Sequence, residues 1–296
     1  MSPIKIAAVQ FDLRKVRDAT EFWTRVQTFC NRAHRKNCDF IVFPEYFSLP
    51  LLLCEASSTA KAQAFKNALT SFSKISRDFH VRLQNLAIQF DMAIIAGTTP
   101  VEQTSHKGAR KKKKLVNRSF VYIPKQKTQF QDKQHMTRFE SEHWGIMSGQ
   151  RRVKVFSWRG VRFSIAVCYD VESPRYANEI AKRNIDMIFV PSCTDDVHGY
   201  WRVRHCAEAR AIETQSYVIV TSTVGGDPRF EEIYPNYGKA TFLGPCDVGF
   251  HDDGCILDGN LNVEDIFVTS LDLAALKNVR RKGTVLNRLQ LSELNK

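Results

Sequence analysis

Arg162-Phe163-Ser164-Ile165-Ala166-Val167-Cys168-Tyr169-Asp170-Val171-Glu172-Ser173-Pro174 is the stretch around which the chain is organised. Phe163 to Val167 is apolar at nearly every position, the pattern of a short buried strand. It stops at a cysteine. Ser173 can then cap a helix whose first position is Pro174, and Ala177, Ile180 and Ala181 recur at helical spacing. Cys168 therefore falls on a strand-to-helix turn near a helix N-terminus, where the positive end of the dipole favours thiolate over thiol. Free cysteines are also ordinary core residues, so this stretch alone leaves both a nucleophile and an inert cysteine open.

The same logic extends outward. Val153 to Trp158 and Val161 to Val167 predict a hairpin around Arg159-Gly160. Ile4 to Phe11 is a first strand. Asp18 with Glu21 fits a capping box, and Phe22, Val26, Phe29, Cys30 and Ala33 follow on one helical face. A strand from Asp39 to Phe43 ends at Pro44-Glu45-Tyr46. Thr59 to about Phe90 is helical in two pieces, and Met92 to Gly97 is a buried strand. Leu115 to Ile123 and Thr128 to Lys133 stand at hairpin spacing, the second running into Gln134-His135-Met136. Past the central stretch, Asp186 to Val190 is a strand that stops at Pro191-Ser192-Cys193-Thr194-Asp195-Asp196. A helix from about Tyr200 to Thr214, a strand from Tyr217 to Ser222, a turn-rich region from Gly225 to Asp258 and a last strand from Ile266 to Leu271 follow. This alternation predicts α/β packing, with two sheets flanked by helices. With no repeat or linker, one domain over 1–296 is expected, its polar, basic end from about 272 forming an arm that packs on a partner.

At 296 residues and 43% hydrophobic, the chain can bury a sizeable core. No apolar run approaches the roughly 18 residues of a membrane span. Met1-Ser2-Pro3-Ile4-Lys5 lacks the features of a secretory signal. Eight cysteines with no Cys-x-x-Cys pair predict neither a zinc framework nor a disulfide scaffold, and fit a reducing, cytoplasmic setting. Net charge is +12, which raises a nucleic-acid-binding alternative. Much of the local excess lies in Arg110-Lys111-Lys112-Lys113-Lys114, after an expected turn at Gly108. That run has no interleaved aromatics for base stacking, so a solvated loop is the better expectation and nucleic acid is not the expected partner.

Glu45, Lys133 and Cys168 each follow a strand, where α/β architectures place functional groups. Singly they are a loop acid, a surface lysine and a core thiol. Together they supply what cysteine acyl transfer needs: a carboxylate to take the thiol proton, a nucleophilic sulfur, and a fixed ammonium for the oxyanion, helped by the Tyr169 N–H. A papain-like pair with His205 or His135 as base lacks a supporting pattern. A metal site from His198, His205, Asp195 and Asp196 lacks ligand spacing, so no metal or cofactor is expected.

Phe43-Pro44-Glu45, Lys133-Gln134-His135-Met136 and Val167-Cys168-Tyr169-Asp170 resemble, in that order, the catalytic motifs of the nitrilase, or carbon-nitrogen hydrolase, superfamily. Ile6-Ala7-Ala8-Val9-Gln10, Asn117-Arg118-Ser119 and Ala209-Arg210-Ala211-Ile212-Glu213 resemble its flanking segments, so the likeness spans roughly residues 4 to 285. It implies a four-layer α-β-β-α sandwich of two mixed sheets. It also implies a homodimer or higher homo-oligomer, burying the helices after Cys168 and around Arg204 to Glu213. The implied activity is cleavage of a small-molecule amide, carbamoyl compound or nitrile through a thioester. Family members that attack nitriles usually carry Trp-Glu after the cysteine; Tyr169-Asp170 stands here, which favours an amide. The family's second glutamate has two candidates, Glu140 and Glu142. Counting back from Gly149 favours Glu142, with Ser148 standing where the family has a proline. Tyr46, Tyr169, Cys193 and Thr194 are expected to shape the substrate pocket, and His135 to buttress the Lys133 loop.

Overall fold

The computed structural model describes residues 3–55, 61–107 and 110–293. The strands are β1 (Ile4–Asp12), β2 (Phe40–Val42), β3 (Ala93–Ile95), β4 (Thr99–Lys107), β5 (Arg110–Tyr122), β6 (Gln129–Asp132), β7 (Phe156–Trp158), β8 (Val161–Ile165), β9 (Met187–Ser192), β10 (Tyr217–Val224), β11 (Thr241–Leu243), β12 (Cys255–Asp258) and β13 (Asp265–Leu271). The helices are α1 (Ala19–Arg35), α2 (Leu49–Glu55), α3 (Lys61–Thr70), α4 (Phe72–Phe90), α5 (Arg138–Glu142), α6 (Pro174–Ala181), α7 (Val197–Thr214), α8 (Leu273–Lys282) and α9 (Asn287–Glu293).

The described strands form one mixed, hydrogen-bonded network in the order β4-β5-β3-β2-β1-β10-β9-β8-β7, with β6, β11, β12 and β13 off this path. β1 is the branch point. Residues 6–8 pair in parallel with β2, residues 4–10 pair antiparallel with β13, and Gln10 to Asp12 pair with Ser222 to Val224 of β10. A strand with partners on both edges and packing on both faces must be apolar at odd and even positions alike. Ile6 and Ala8 accordingly enter one core, and Ala7, Val9 and Phe11 the other. In the first core the Phe40 ring lies 5.4 Å from that of Phe163 and 5.6 Å from that of Phe189, so β2 faces β8 and β9. In the second core β1 meets α1, whose Phe22, Val26, Phe29, Cys30 and Ala33 are buried on the expected face.

Local chemistry explains the elements. Asp18 caps α1 by accepting from the Glu21 N–H, but Glu21 turns to the Arg17 N–H, so the reciprocal half of the expected capping box is missing. The β7–β8 hairpin turns at Arg159-Gly160, both at positive φ. The helical region divides into α3 and α4 as expected; Thr59 and Ala60 lie outside the described residues. Two expectations need correction. The basic run is strand, not loop: Arg110 to Lys114 pair antiparallel with Gln103 to Lys107 as the outer part of the β4–β5 hairpin, while the expected turn at Gly108 lies outside the described residues. β4 escaped notice because its outer half is polar and carries no apolar alternation. The C-terminal segment packs on its own chain. Leu273, Leu276 and Val279 of α8 are buried, and Arg280 bonds Asp186 at 2.8 Å.

Candidate active site

Four loops at the carboxyl ends of strands meet at one point. Glu45 follows β2, Lys133 follows β6, Cys168 follows β8, and Cys193 follows β9. Two turns carry non-glycine residues in the left-handed region, Tyr46 at φ 57° and Cys168 at φ 46°. Such conformations are uncommon and persist only where surrounding structure holds them. At the Glu45 turn the brace is Gly97. A Cβ on Gly97 would sit 1.8 Å from the Pro44 carbonyl oxygen, so only glycine lets the two backbones approach. At the Cys168 turn the brace is Asp170. Its carboxylate accepts from the Gln134 and His135 N–H groups at 3.1 and 2.8 Å and meets His135 Nδ1 at 3.0 Å. The loop of Cys168 is thereby tied to the loop of Lys133, and His135 buttresses it.

Lys133 is buried, and its Nζ donates to Glu45 Oε1 at 2.8 Å and to Glu140 Oε2 at 2.7 Å. Glu140 is the third helical residue of α5, where it completes a capping box with Thr137. Its other oxygen accepts from the Tyr46 hydroxyl at 2.5 Å and from Asn117 Nδ2 at 3.4 Å. Asn117 also donates to Glu45 Oε1 at 2.8 Å, and the Cys193 N–H donates to Glu45 Oε2 at 3.1 Å. The Cys168 thiol lies near enough to Glu45 to help hold its carboxyl down. Ser192 Oγ donates to Cys168 Sγ at 3.4 Å, and the Cys193 carbonyl lies 3.7 Å from that sulfur.

Burial sets the charges. It pushes the Glu45 carboxyl up to about 7 against the pull of Lys133, with Glu140 adding to the rise. Burial also works against the Glu140 charge. There the Lys133 ammonium and the hydrogen bonds from Lys133, Tyr46 and Thr137 win, and the carboxyl falls below its ordinary value. Lys133 loses to burial and gains more from Glu140 and Glu45, so it stays well above the ordinary lysine value. Burial, with Glu45 adding, pushes the Cys168 thiol up to about 12. The expected thiolate at a helix N-terminus is therefore corrected. A 3₁₀ turn, Cys168–Glu172, intervenes before α6, and Ser173 makes no side-chain cap bond.

A cavity of about 590 Å³ opens over Cys168, lined by Tyr169, Glu172, Thr194 and Arg202 among others. A smaller one of about 310 Å³ reaches Glu45, Lys133 and Glu140. Both are lined by Cys193, Arg138 and Arg202. Tyr169 and Thr194 thus line the expected pocket. Tyr46 borders the smaller cavity, but its hydroxyl is committed to Glu140. The choice of Glu142 is corrected: it points to solvent, where Arg138 holds it at 2.8 Å, and Glu140 occupies the place beside Lys133. Thr137-x-x-Glu140 was a legible capping-box signal that buries Glu140 and leaves Glu142 outside. Asn117 lay within a noted motif but without a role. Ser192 and Arg202 carried no signal that a single sequence displays. His205 pairs with Glu208 on an exposed face of α7 at 3.1 Å, away from any role as base to Cys168.

Residues 5–281 match the model of the carbon-nitrogen hydrolase family. The probable hydrolase YhcX of Bacillus subtilis is 31% identical over 96% of this chain; the chain spans only 52% of that protein's length. The deaminated glutathione amidase of Synechocystis is 26% identical, over 86% of this chain and 89% of its own. Among solved structures, Nit3 of Saccharomyces cerevisiae superposes with a TM-score of 0.72 at 22% identity, covering 95% of this chain and 94% of its own. A nitrilase-superfamily amidase of Nesterenkonia superposes at 0.68 and 18% identity, with 95% of each chain covered. At such identities the structural likeness speaks to the fold. With a family match running through nearly the whole chain, and strand-end loops carrying the matched motifs into one pocket, the chain belongs to the carbon-nitrogen hydrolase family.

Proposed function

We propose that the protein is an amidase that cleaves a small-molecule amide through a thioester on Cys168. The observation that carries this reading is the convergence of Glu45 and Lys133 at 2.8 Å, with Cys168 joined to them through the Cys193 backbone, whose N–H donates to Glu45 and whose carbonyl accepts from the thiol, all from loops far apart in sequence. Glu45 takes the thiol proton as sulfur attacks the amide carbon. Because the thiol sits at about 12 and the carboxyl at about 7, the proton leaves as the carbon–sulfur bond forms rather than before. Lys133, with the Tyr169 N–H, stabilises the oxyanion. Glu45 returns the proton to the leaving nitrogen as the C–N bond breaks. It then deprotonates water, which splits the thioester to a carboxylate and restores the thiol. Glu140 keeps Lys133 charged and aimed. Relatives named as amidases favour an amide over a carbamoyl compound or a nitrile.

The reading extends to the whole chain. We place the two sheet branches as the inner layers of an α-β-β-α sandwich, supported by the Phe40 contacts with Phe163 and Phe189, in one domain over 1–296 whose segment from about 272 packs on its own chain. Exposed Val197, Trp201 and Ile212 on α7 support self-association through that helix. Eight free cysteines support a reducing, cytoplasmic compartment. The test is a screen of amides, carbamoyl compounds and nitriles against the protein and its Cys168→Ala variant. Amide turnover that vanishes in a folded variant supports the reading, and turnover that persists in it refutes the nucleophile.

A further inference from the structure

The cavity over Cys168 contains a carboxylate that the acyl-transfer steps leave unused. Glu172 ends the 3₁₀ turn that Cys168 begins, and it lines the same cavity. Its side chain is only 17% exposed. Its nearest cation, Arg202 Nε, stands 3.8 Å away, beyond hydrogen-bond distance, and no described group donates a hydrogen bond to it. A mostly buried carboxylate without donors is costly. Burial raises its pKa, with Arg202 and Lys133 opposing the rise. The other charges of the cavity differ in kind. Arg202 is 62% exposed and Arg138 is 87% exposed and paired with Glu142, so both are long, mobile rim groups. Asp195 adds a second negative charge to the lining. A largely buried acid on the turn that carries the nucleophile discriminates among ligands more sharply than exposed arginines do.

We propose that Glu172 is a specificity-determining residue that receives a protonated amine of the substrate, so that the preferred substrates are amides carrying an ammonium group on the acyl side. The ammonium supplies the donors that Glu172 lacks and displaces its loose contact with Arg202. This inference rests on the amidase reading above, and its test separates the two.

The probes are ω-aminoalkanamides of two to five methylenes, matched methyl-capped alkanamides, and matched ω-carboxyalkanamides. In the wild type, kcat/KM for the best ammonium amide exceeds that of its methyl isostere by at least about tenfold, the size of one charge-assisted hydrogen bond. That ratio falls to near one in Glu172→Gln, is partly kept in Glu172→Asp, and shifts toward carboxylate amides in Glu172→Lys, an inversion that a purely structural role would not produce. In parallel, calorimetry on Cys168→Ala and on Cys168→Ala/Glu172→Gln measures binding of the same compounds without turnover. Tighter binding of the ammonium amide that depends on Glu172 supports the proposal even if nothing is hydrolysed, a result that would sink the amidase reading instead. Equal affinity for ammonium and methyl compounds, a preference that survives Glu172→Gln, or a wild-type preference for carboxylate amides read by Arg202 each overturns it.

Discussion

In the proposed reaction Glu45 is the residue on which the chemistry turns, because burial raises its carboxyl to about 7. With its pKa raised by burial to about 7, it is protonated below that value and cannot take the thiol proton; above it the carboxylate is free to do so. kcat/KM should therefore rise with pH along a limb centred near 7, and Glu45→Gln should remove the limb together with most of the activity. A flat profile from pH 5 to 8 in the wild type would contradict this. The second glutamate separates the sequence from the structure just as sharply. Glu140 shares Lys133 with Glu45, whereas Glu142 is a solvent-facing partner of Arg138. Glu140→Gln should lower kcat by about 10²-fold or more. Glu142→Gln should leave kcat at the wild-type level and change stability by no more than about 0.5 kcal/mol. Steady-state kinetics and denaturant melts decide it, and equal effects of the two substitutions would refute the assignment.

Among the elements, what was legible followed from local chemistry. The apolar run before Cys168, the Arg159-Gly160 hairpin and the single apolar face of α1 each satisfy one rule without help from distant residues. Asp170 lay in plain view beside Cys168, but its role in joining two loops depends on Gln134 and His135, thirty-five or more positions away in sequence. Of the two candidate glutamates, counting back from Gly149 favours Glu142 over Glu140, through a stretch where Ser148 stands in place of the family's proline; Ser148 donates to the Gln134 carbonyl at 2.8 Å. The Thr137 cap was the sounder guide. Gly97 illustrates the same limit: a glycine ending a strand is unremarkable until the Pro44 carbonyl is seen against it. Gly97→Ala adds a Cβ at positive φ and forces the Glu45 loop to move. It should cost more than about 1 kcal/mol and lower kcat, read by denaturant melts and kinetics. A wild-type melt with wild-type kcat would show that the glycine does not set the loop.

At the scale of the molecule, the branch at β1 is what gathers the site. β13 takes one edge over residues 4–10, and the opposite edge holds β2, which leads to Glu45, at residues 6–8 and β10, leading on to β9 and β8 with Cys193 and Cys168, from Gln10 to Asp12. Strand alternation in the sequence foretold α/β packing, but not which strand would have partners in both branches, since apolar runs alone do not specify pairing. The net charge of +12 has its densest local run in the β4–β5 hairpin, where Lys114 donates to the Ser148 carbonyl at 3.0 Å. The pocket over the site is lined by two sulfurs, Cys168 and Cys193; the proposed reaction uses Cys168, which follows β8 and whose sulfur accepts from Ser192 Oγ. The most direct measurement is therefore acid quenching during turnover of an amide substrate, followed by mass spectrometry of the digested protein. The account predicts an acyl group on the peptide containing Cys168, absent in Cys168→Ala. Turnover without that adduct, or with the acyl group on Cys193, would contradict it.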